Sequence, residues 1–342
     1  MKEYVYQREL TEEDRERARA SMEEANQILR PRCDAADTSF AVWVGDTHLH
    51  KSFYTEEEKG LKRYAGLPEH YRNLVSTKRQ LELVLYEISL LDPQPDLLIL
   101  GGDLVEYGFS GEYDLFFEML EGIQDIPVYF ISGNHEHGLG ELPAEFVQAY
   151  QRWKRPYWPA LEGTKGYYYA FTHKNVRFIC IDRQVDAYGH TLEEQQYQWL
   201  QKELAESPLS TIICSHRSLL PVGNWIDDKF PDIGLCELIN QCPQVEAVLS
   251  GHNHTHHTWK YWDKLHIVFP STSYAVGTFT GWGGILIRGG KVEDVFAKEL
   301  TGPSFNSVYP GRLFDQYGSL HVLEPKNFEE SPLFNPELWS RG

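Results

Sequence analysis

The chain is poor in the features that mark several large classes of protein. Only five cysteines occur in 342 residues (Cys33, Cys180, Cys214, Cys236 and Cys242), and no two of them stand as Cys-x-x-Cys. That excludes a thiolate zinc site of the paired-cysteine type, and five scattered thiols do not make a disulfide framework. Cys180 and Cys214 fall inside apolar runs, where a thiol acts as a small core side chain; Cys236 and Cys242 read as ordinary helix residues. No apolar run approaches the ~20 residues that a membrane span requires. Positive charge is scarce too: 32 Lys and Arg face 50 Asp and Glu, a formal net charge of −18. A protein that tracks nucleic acid normally presents a basic face, so this balance argues against that partner unless bound cations reverse the field locally. The opening Met1-Lys2-Glu3-Tyr4 lacks the basic-then-apolar layout of a secretory signal, and the cytoplasm is the expected compartment.

What is present is a soluble-type composition, with 42% hydrophobic and 24% charged residues, enough to bury a sizeable core. Residues 1–39 read as an N-terminal helical extension. Thr11-Glu12-Glu13-Asp14 resembles a capping box, and the Glu-, Arg- and Ala-rich run to Leu29 predicts a charged surface helix. Phe40–Val44 is a short apolar strand. Segment 51–75 is polar and is expected to be a long loop bordering the substrate. Leu81, Leu83, Val84, Leu85, Ile88 and Leu91 recur near helical spacing, so residues 76–91 predict a crossover helix. With the apolar strand Asp96–Leu100 this makes a βαβ unit and a parallel pair. A helix at Tyr113–Leu120, a strand at 126–131 and a helix over 141–154 follow.

From residue 167 the pattern changes. Tyr167–Phe171 and Val176–Ile181 flank Thr172-His173-Lys174-Asn175 and predict an antiparallel hairpin. Thr191-x-x-Glu194 is expected to cap a helix that runs through Leu204. Strands then follow at 211–214, 245–249, 259–268, 284–287 and 292–295, the last of them without intervening helices. Residues 301–342 hold five prolines among Phe, Tyr and Trp. Such a tail is no regular helix or central strand, and is expected to wrap the domain or a partner subunit, giving a route to a homo-oligomer.

Five predicted strands end in the same kind of residue. Gly45-Asp46-Thr47-His48, Gly101-Gly102-Asp103, Gly133-Asn134-His135-Glu136, Ser215-His216 and Gly251-His252-Asn253-His254 each close an apolar run. In an open α/β sheet, chemistry collects at the carboxyl ends of strands. Asn134 can offer a neutral oxygen to a metal, and His135 can serve as ligand, acid or base. Asp46 and His48, like His252 and His254, are two residues apart, so in an extended strand both members would share a face. The adjoining glycines would let backbone crowd close to bound ions. These oxygen and imidazole donors suit zinc, manganese or iron. One catalytic ion needs about three protein ligands, so this many candidates fits two ions sharing a carboxylate. Two ions ~3.5–4 Å apart can hold a nucleophilic hydroxide and stabilise both attacking and leaving oxygens. Phosphate esters are the natural target of that chemistry.

The order Asp-x-His, Gly-Asp, Gly-Asn-His-Glu, a lone His and Gly-His-x-His resembles the calcineurin-like metallophosphoesterase family over residues 40 to roughly 300. The resemblance implies an α/β fold, a four-layer α/β/β/α sandwich of two mixed sheets, with a dinuclear site at one edge. It implies a catalytic domain over 40–300, with Asp46, His48 and His254 on one ion, Asn134, His216 and His252 on the other, and Asp103 between them. His135 would protonate the leaving oxygen. Glu106 stands where relatives have the acid that orients this histidine, although it is one methylene longer. Tyr107 follows, where protein Ser/Thr phosphatases carry Arg; its presence points to small or cyclic phosphoesters and hence to a phosphodiesterase or phosphatase on small molecules. His50, His137, His256 and His257 are near the motifs only by adjacency, with His50 or His137 the candidates for substrate contact. Trp225, Tyr107 and Tyr188 are candidates for stacking on a base, against a packing role. The rival readings are a catalytically inactive scaffold, which should show eroded ligands where this chain shows none, and a nuclease, which the acidic balance disfavours.

Overall fold

A run that is apolar at every position, such as Leu97-Leu98-Ile99-Leu100, suits a strand covered on both faces, and all four of these side chains are buried. The computed structural model describes residues 10–34, 37–51, 54–60, 77–123, 125–136, 144–158, 167–183, 192–220, 232–273, 279–301, 305–307 and 321–323. Its first half runs α1 (Glu12–Cys33), β1 (Thr38–Val44), α2 (Glu56–Gly60), α3 (Thr77–Ser89), β2 (Leu97–Leu100), α4 (Ser110–Met119), β3 (Val128–Phe130) and α5 (Ala144–Trp153). The second half continues with β4 (Tyr169–His173), β5 (Val176–Ile181), α6 (Glu194–Glu206), β6 (Ser210–Ser215), α7 (Ile233–Asn240) and β7 (Val245–Ser250). Six strands complete it: β8 (His257–Tyr261), β9 (Lys264–Val268), β10 (Gly281–Arg288), β11 (Lys291–Glu299), β12 (Phe305–Ser307) and β13 (His321–Leu323).

Two mixed sheets result. The first has the order β12-β11-β10-β1-β2-β3 and the second β13-β8-β9-β7-β6-β5-β4. β1, β2 and β3 are mutually parallel, as are β5, β6, β7 and β9. β4–β5 is the expected antiparallel hairpin. Alternation along the second sheet separates its faces. Phe178, Cys180, Ile212, Cys214, Leu249 and Ile267 join the large core shared with the first sheet. Ile179, Ile181, Ile213 and Val248 point the other way, onto Leu200 and Leu204 of α6 and Leu235 and Ile239 of α7. Helices α1, α3, α4 and α5 contribute to the first core. The architecture is therefore the α/β, four-layer α/β/β/α sandwich. A buried Ile or Leu in these layers contributes about 1.5–3 kcal/mol, and truncating Ile212 or Ile213 to Ala would cost about 2–5 kcal/mol.

Helix α1 begins as its sequence predicts: Thr11 and Asp14 cap each other reciprocally. It is only partly a solvated surface helix, because Ala18, Met22, Ala25 and Leu29, spaced 4, 3 and 4 residues apart, are buried on one stripe. Asp14 also meets Arg79 of α3, and Asn26 bonds Leu90 O at 2.8 Å. One local expectation differs from the structure. Segment 51–75 is not wholly loop: Glu56–Gly60 form a turn of helix with three acidic residues in its first turn, which favours helix against the macrodipole, and 61–75 lie outside the described residues. Helix α6 takes Glu193 as its N-cap, with no side-chain cap bond; Thr191, expected to cap it, lies outside the described residues. Among its described residues the proline-rich tail supplies two edge strands, β12 beside β11 and β13 beside β8. Cys180 and Cys214 face each other in register between β5 and β6 as free, buried thiols. No helix of the described residues is long and apolar enough to cross a membrane.

Candidate metal centre

The parallel strands all deliver their carboxyl ends to one edge. The loops after β1 and β2 are laced together by backbone hydrogen bonds, Asp46 N to Gly102 O (3.0 Å), His48 N to Asp103 O (2.9 Å) and Leu49 N to Leu104 O (3.1 Å). Beyond β9, Thr272 N bonds Gly45 O at 3.0 Å, joining the two sheets at this edge. These residues do not stand on the extended backbone that their two-residue spacing predicts. Asp46, His48, Asp103, His252 and His254 have φ of 52°, 44°, 49°, 70° and 53°, the left-handed region. Non-glycine residues visit it at a cost and persist there only when the surroundings hold them. Hydrogen bonds do so: Ser273 Oγ donates to Asp46 O at 2.7 Å, and His252 N donates to Asp46 Oδ1 at 3.0 Å. The neighbouring glycines serve the site by lacking a side chain. A Cβ on Gly251 would come within 2.6 Å of Asp46 Oδ2, and one on Gly133 would collide with Asp103 Oδ1.

All seven ligand candidates and His135 lie at this edge. Asp46, His48 and His254 form one cluster, with His48 Nε2 3.0 Å from His254 Nε2 and His254 Nε2 3.5 Å from Asp46 Oδ1. Asp103, His216 and His252 form another, with His216 Nε2 3.2 Å from Asp103 Oδ2 and 3.3 Å from His252 Nδ1. Asp103 Oδ2 also lies 3.7 Å from His48 Nε2 and 3.9 Å from His135 Nε2, so this one oxygen faces both groups. Asn134 Oδ1 is buried with no hydrogen-bond partner. An orphaned buried acceptor is costly, and this one belongs to the loop whose next residue, His135, donates its backbone N–H to Asp103 Oδ1 at 2.9 Å; an amide oxygen with carboxylates and imidazoles is a donor set that suits divalent metal ions.

Hydrogen bonding sets the tautomers. His48 Nδ1 donates to Glu106 Oε2 at 2.8 Å, and His216 Nδ1 donates to Gly101 O at 2.7 Å. Each ring thereby turns a bare Nε2 inward, the arrangement that ligating histidines use. Burial and the neighbouring His135 hold His48 well below the ordinary imidazole range. Burial lifts the Asp46 carboxyl to about 7, helped by Asp103. At His216 burial opposes the charge, but the Asp103 carboxylate outweighs it and raises the ring to about 9. Binding a cation among such groups releases their protons.

His135 is the partly open member, its side chain 28% exposed. Its Nδ1 donates to the carbonyl of Glu106 at 2.6 Å, while the Glu106 carboxylate lies 3.9 Å away. The expected contact between Glu106 and His135 is thus made by the main chain, and the carboxylate orients His48 instead. Desolvation disfavours charge on His135, but Asp103 and Glu106 outweigh it and raise the ring to about 9.

Two residues were not singled out by their sequence. Glu136 accepts from Gly133 N (2.8 Å), Leu104 N (2.8 Å) and Val105 N (3.3 Å), stapling the β3 loop to the β2 loop. A charged residue closing Gly-Asn-His-Glu directly after a buried strand was its available signal. Arg217, next to His216, is buried at 6% exposure with Nη1 3.1 Å from His252 Nε2. Among the other candidates, Tyr107 is buried and packs edge-on against Tyr54 at 5.3 Å, a packing role. His50 bonds Thr77 Oγ1, His256 is buried on Val268 O, and His257 meets Thr255. His137, Tyr188 and Trp225 lie outside the described residues.

Comparison with known proteins agrees with this geometry. The sequence profile of the family described as calcineurin-like phosphoesterase matches residues 41–256, more than half of the chain. A protein of Arcobacter nitrofigilis named as a probable glycerophosphodiester phosphodiesterase is 28% identical over 68% of this chain and 77% of its own length. A 3′,5′-cyclic-nucleotide phosphodiesterase of Nostoc sp. is 28% identical over 58% of this chain and 71% of its own. Among solved structures, a purple acid phosphatase from yellow lupin (Lupinus luteus) seeds shares the fold with a TM-score of 0.50 at 16% identity. That likeness covers 85% of this chain and 54% of the plant protein, so the chain spans about half of it. With the profile matched and its Asp and His residues gathered at one sheet edge, the chain belongs to the calcineurin-like phosphoesterase family and is a metal-dependent phosphoester hydrolase.

Proposed function

We propose that the protein hydrolyses phosphodiesters of small molecules with two metal ions (Mn, Zn or Fe). Asp46, His48 and His254 would hold one ion, and Asn134, His216 and His252 the other, with Asp103 shared. The observation that carries this reading is the position of Asp103 Oδ2, 3.2 Å from His216 Nε2 in one cluster and 3.7 Å from His48 Nε2 in the other. When bound, such a pair of cations activates water as the nucleophile and neutralises charge on the phosphoryl oxygens. The chain's own residues do the rest. Glu106 fixes the His48 ring, and Glu136 holds the loop that carries Asn134 and His135. His135, anchored through Nδ1, keeps Nε2 free to give a proton to the departing oxygen.

Both curated relatives named above carry diesterase names, which supports a diester over a monoester. Tyr107, packed against Tyr54, supplies no cation to grip a doubly charged monoester. The five free cysteines support a cytoplasmic working place. We further place the catalytic unit at 40–300, with residues 1–39 and 301–342 as additions and the tail as the route to any homo-oligomer. Purified protein reconstituted with manganese, zinc or iron should hydrolyse bis-p-nitrophenyl phosphate, glycerophosphodiesters or cyclic nucleotides faster than phosphomonoesters. Faster turnover of monoesters across the panel would replace this reading by a phosphatase.

A further inference from the structure

The peptide between Glu106 and Tyr107 is held at both ends. Its oxygen accepts from His135 Nδ1 at 2.6 Å, and its N–H donates to Glu112 Oε2 at 3.1 Å. A trans peptide is planar and points these two atoms in opposite directions, so carboxylate, peptide and imidazole form one chain of hydrogen bonds. Donation from the N–H strengthens the carbonyl as an acceptor, because bonds in such a chain polarise one another. With Nδ1 held in this way, His135 Nε2 stands 3.9 Å from Asp103 Oδ2, at the metal cluster. Glu112 opens α4, where a glutamate in the third helical position ordinarily receives the N–H of the cap residue and nothing more. It does receive Phe109 N, at 3.0 Å. Yet it is fully buried, and Tyr54 Oη donates to its second oxygen at 2.6 Å. Three donors on a carboxylate withdrawn from water satisfy a charge whose burial a helix cap does not require.

Resting on the acid role given to His135 above, we propose that Glu112 is the positioning residue of that histidine and acts through the Glu106–Tyr107 peptide. The Glu106 carboxylate is turned to His48 Nδ1 at 2.8 Å and lies 3.9 Å from His135, as Asp103 Oδ2 does, so among the described residues no carboxylate bonds the ring directly. Glu112 supplies one across a single peptide. Tyr54 extends the chain to the segment before α2: its Oη also accepts from Lys51 N at 2.9 Å, and its ring packs edge-on against Tyr107. Tyr54 and Glu112 together thus set the direction of the Nδ1–H bond, and with it where Nε2 meets the leaving oxygen.

The test uses manganese-loaded full-length protein, with metal content measured on each sample, and two substrates of unequal leaving group, bis-p-nitrophenyl phosphate and a glycerophosphodiester. Glu112→Gln should keep its metal and its KM on both substrates. Its kcat should fall about 10- to 100-fold on the glycerophosphodiester, as misplacing a catalytic group does, and much less on bis-p-nitrophenyl phosphate, whose leaving group needs little protonation. In the His135→Ala background the same change should lower turnover no further, because the two residues act as one. Tyr54→Phe, which leaves both backbone bonds to Glu112, should show the same selectivity at smaller size and decides the matter if Glu112→Gln does not fold. Equal losses on the two substrates, or losses that multiply in the double variant, overturn the assignment in favour of a structural role and leave the function intact. Unaltered turnover, or loss of metal, overturns it too. Full turnover of the glycerophosphodiester by His135→Ala overturns the acid role and the positioning with it, and a wild type that hydrolyses neither substrate overturns the function as well.

Discussion

Glu87 and Asp103 are both carboxylates buried in the first half of the fold, at 0% and 1% exposure, and their surroundings are built in opposite ways. Glu87 accepts from Trp282 Nε1 and from Thr301 N, each at 2.8 Å, and faces Lys298 Nζ at 3.7 Å. It forms a closed ion pair fastening α3 to the β10–β11 pair. Asp103 is instead ringed by three imidazoles on a left-handed backbone, and the loop bonded to it through His135 N carries an Asn134 oxygen with no partner. Buried charge met by local partners fixes structure. Buried charge among donors that a cation can claim, held at a conformational cost, marks function.

The sharpest way to break this comparison is to truncate both carboxylates. Asp103→Ala should bring hydrolysis to background and lower metal content in the same preparation. Glu87→Ala should leave turnover per folded molecule unchanged, yet cost about 3–5 kcal/mol by urea unfolding, because Lys298 stays buried without its carboxylate. Next in size, His135→Ala should retain its metal and lose about 10²- to 10⁴-fold in turnover. The loss should be larger on an alkyl phosphoester than on p-nitrophenyl esters, whose leaving group needs little protonation. Glu106→Gln should weaken metal affinity about 10- to 100-fold, read by equilibrium dialysis, because the carboxylate no longer holds the His48 ring.

The smallest effect lies far from the site, in α1. Thr11→Ala should cost about 1 kcal/mol. Its partner Asp14 is drawn down to about 2; burial opposes this, but the Thr11 N–H and Arg79 outweigh it. A depressed carboxyl pKa stabilises the fold above its ordinary value of 3.8 and loses that contribution as pH falls through about 2. Amide exchange in α1 should therefore accelerate over that window in wild type, and Asp14→Asn should abolish the step.

Much of this was legible beforehand because apolar runs name strands and their polar endings name the site. Asp46, His48, Asp103, Asn134, His216, His252 and His254 could be read from five such endings. How they converge could not, since a left-handed φ at Asp46 or His252 leaves no trace beyond a nearby glycine. Glu106 was placed beside His135, but whether its carbonyl or its carboxylate makes the contact depends on loop geometry that residue type does not encode. Glu136 and Arg217 are hidden in the sequence for a related reason: a charged residue near a motif resembles a solvated one until its burial is known.

The central claim is that donors from five strand ends converge on two cations that share Asp103. Anomalous diffraction from manganese-loaded crystals tests it most directly. Two peaks are predicted, one within ligand distance of Asp46, His48 and His254, the other of Asn134, His216 and His252, with the Asp103 carboxylate between them. A single peak, or two peaks that leave His216 or Asn134 unligated, would contradict the account.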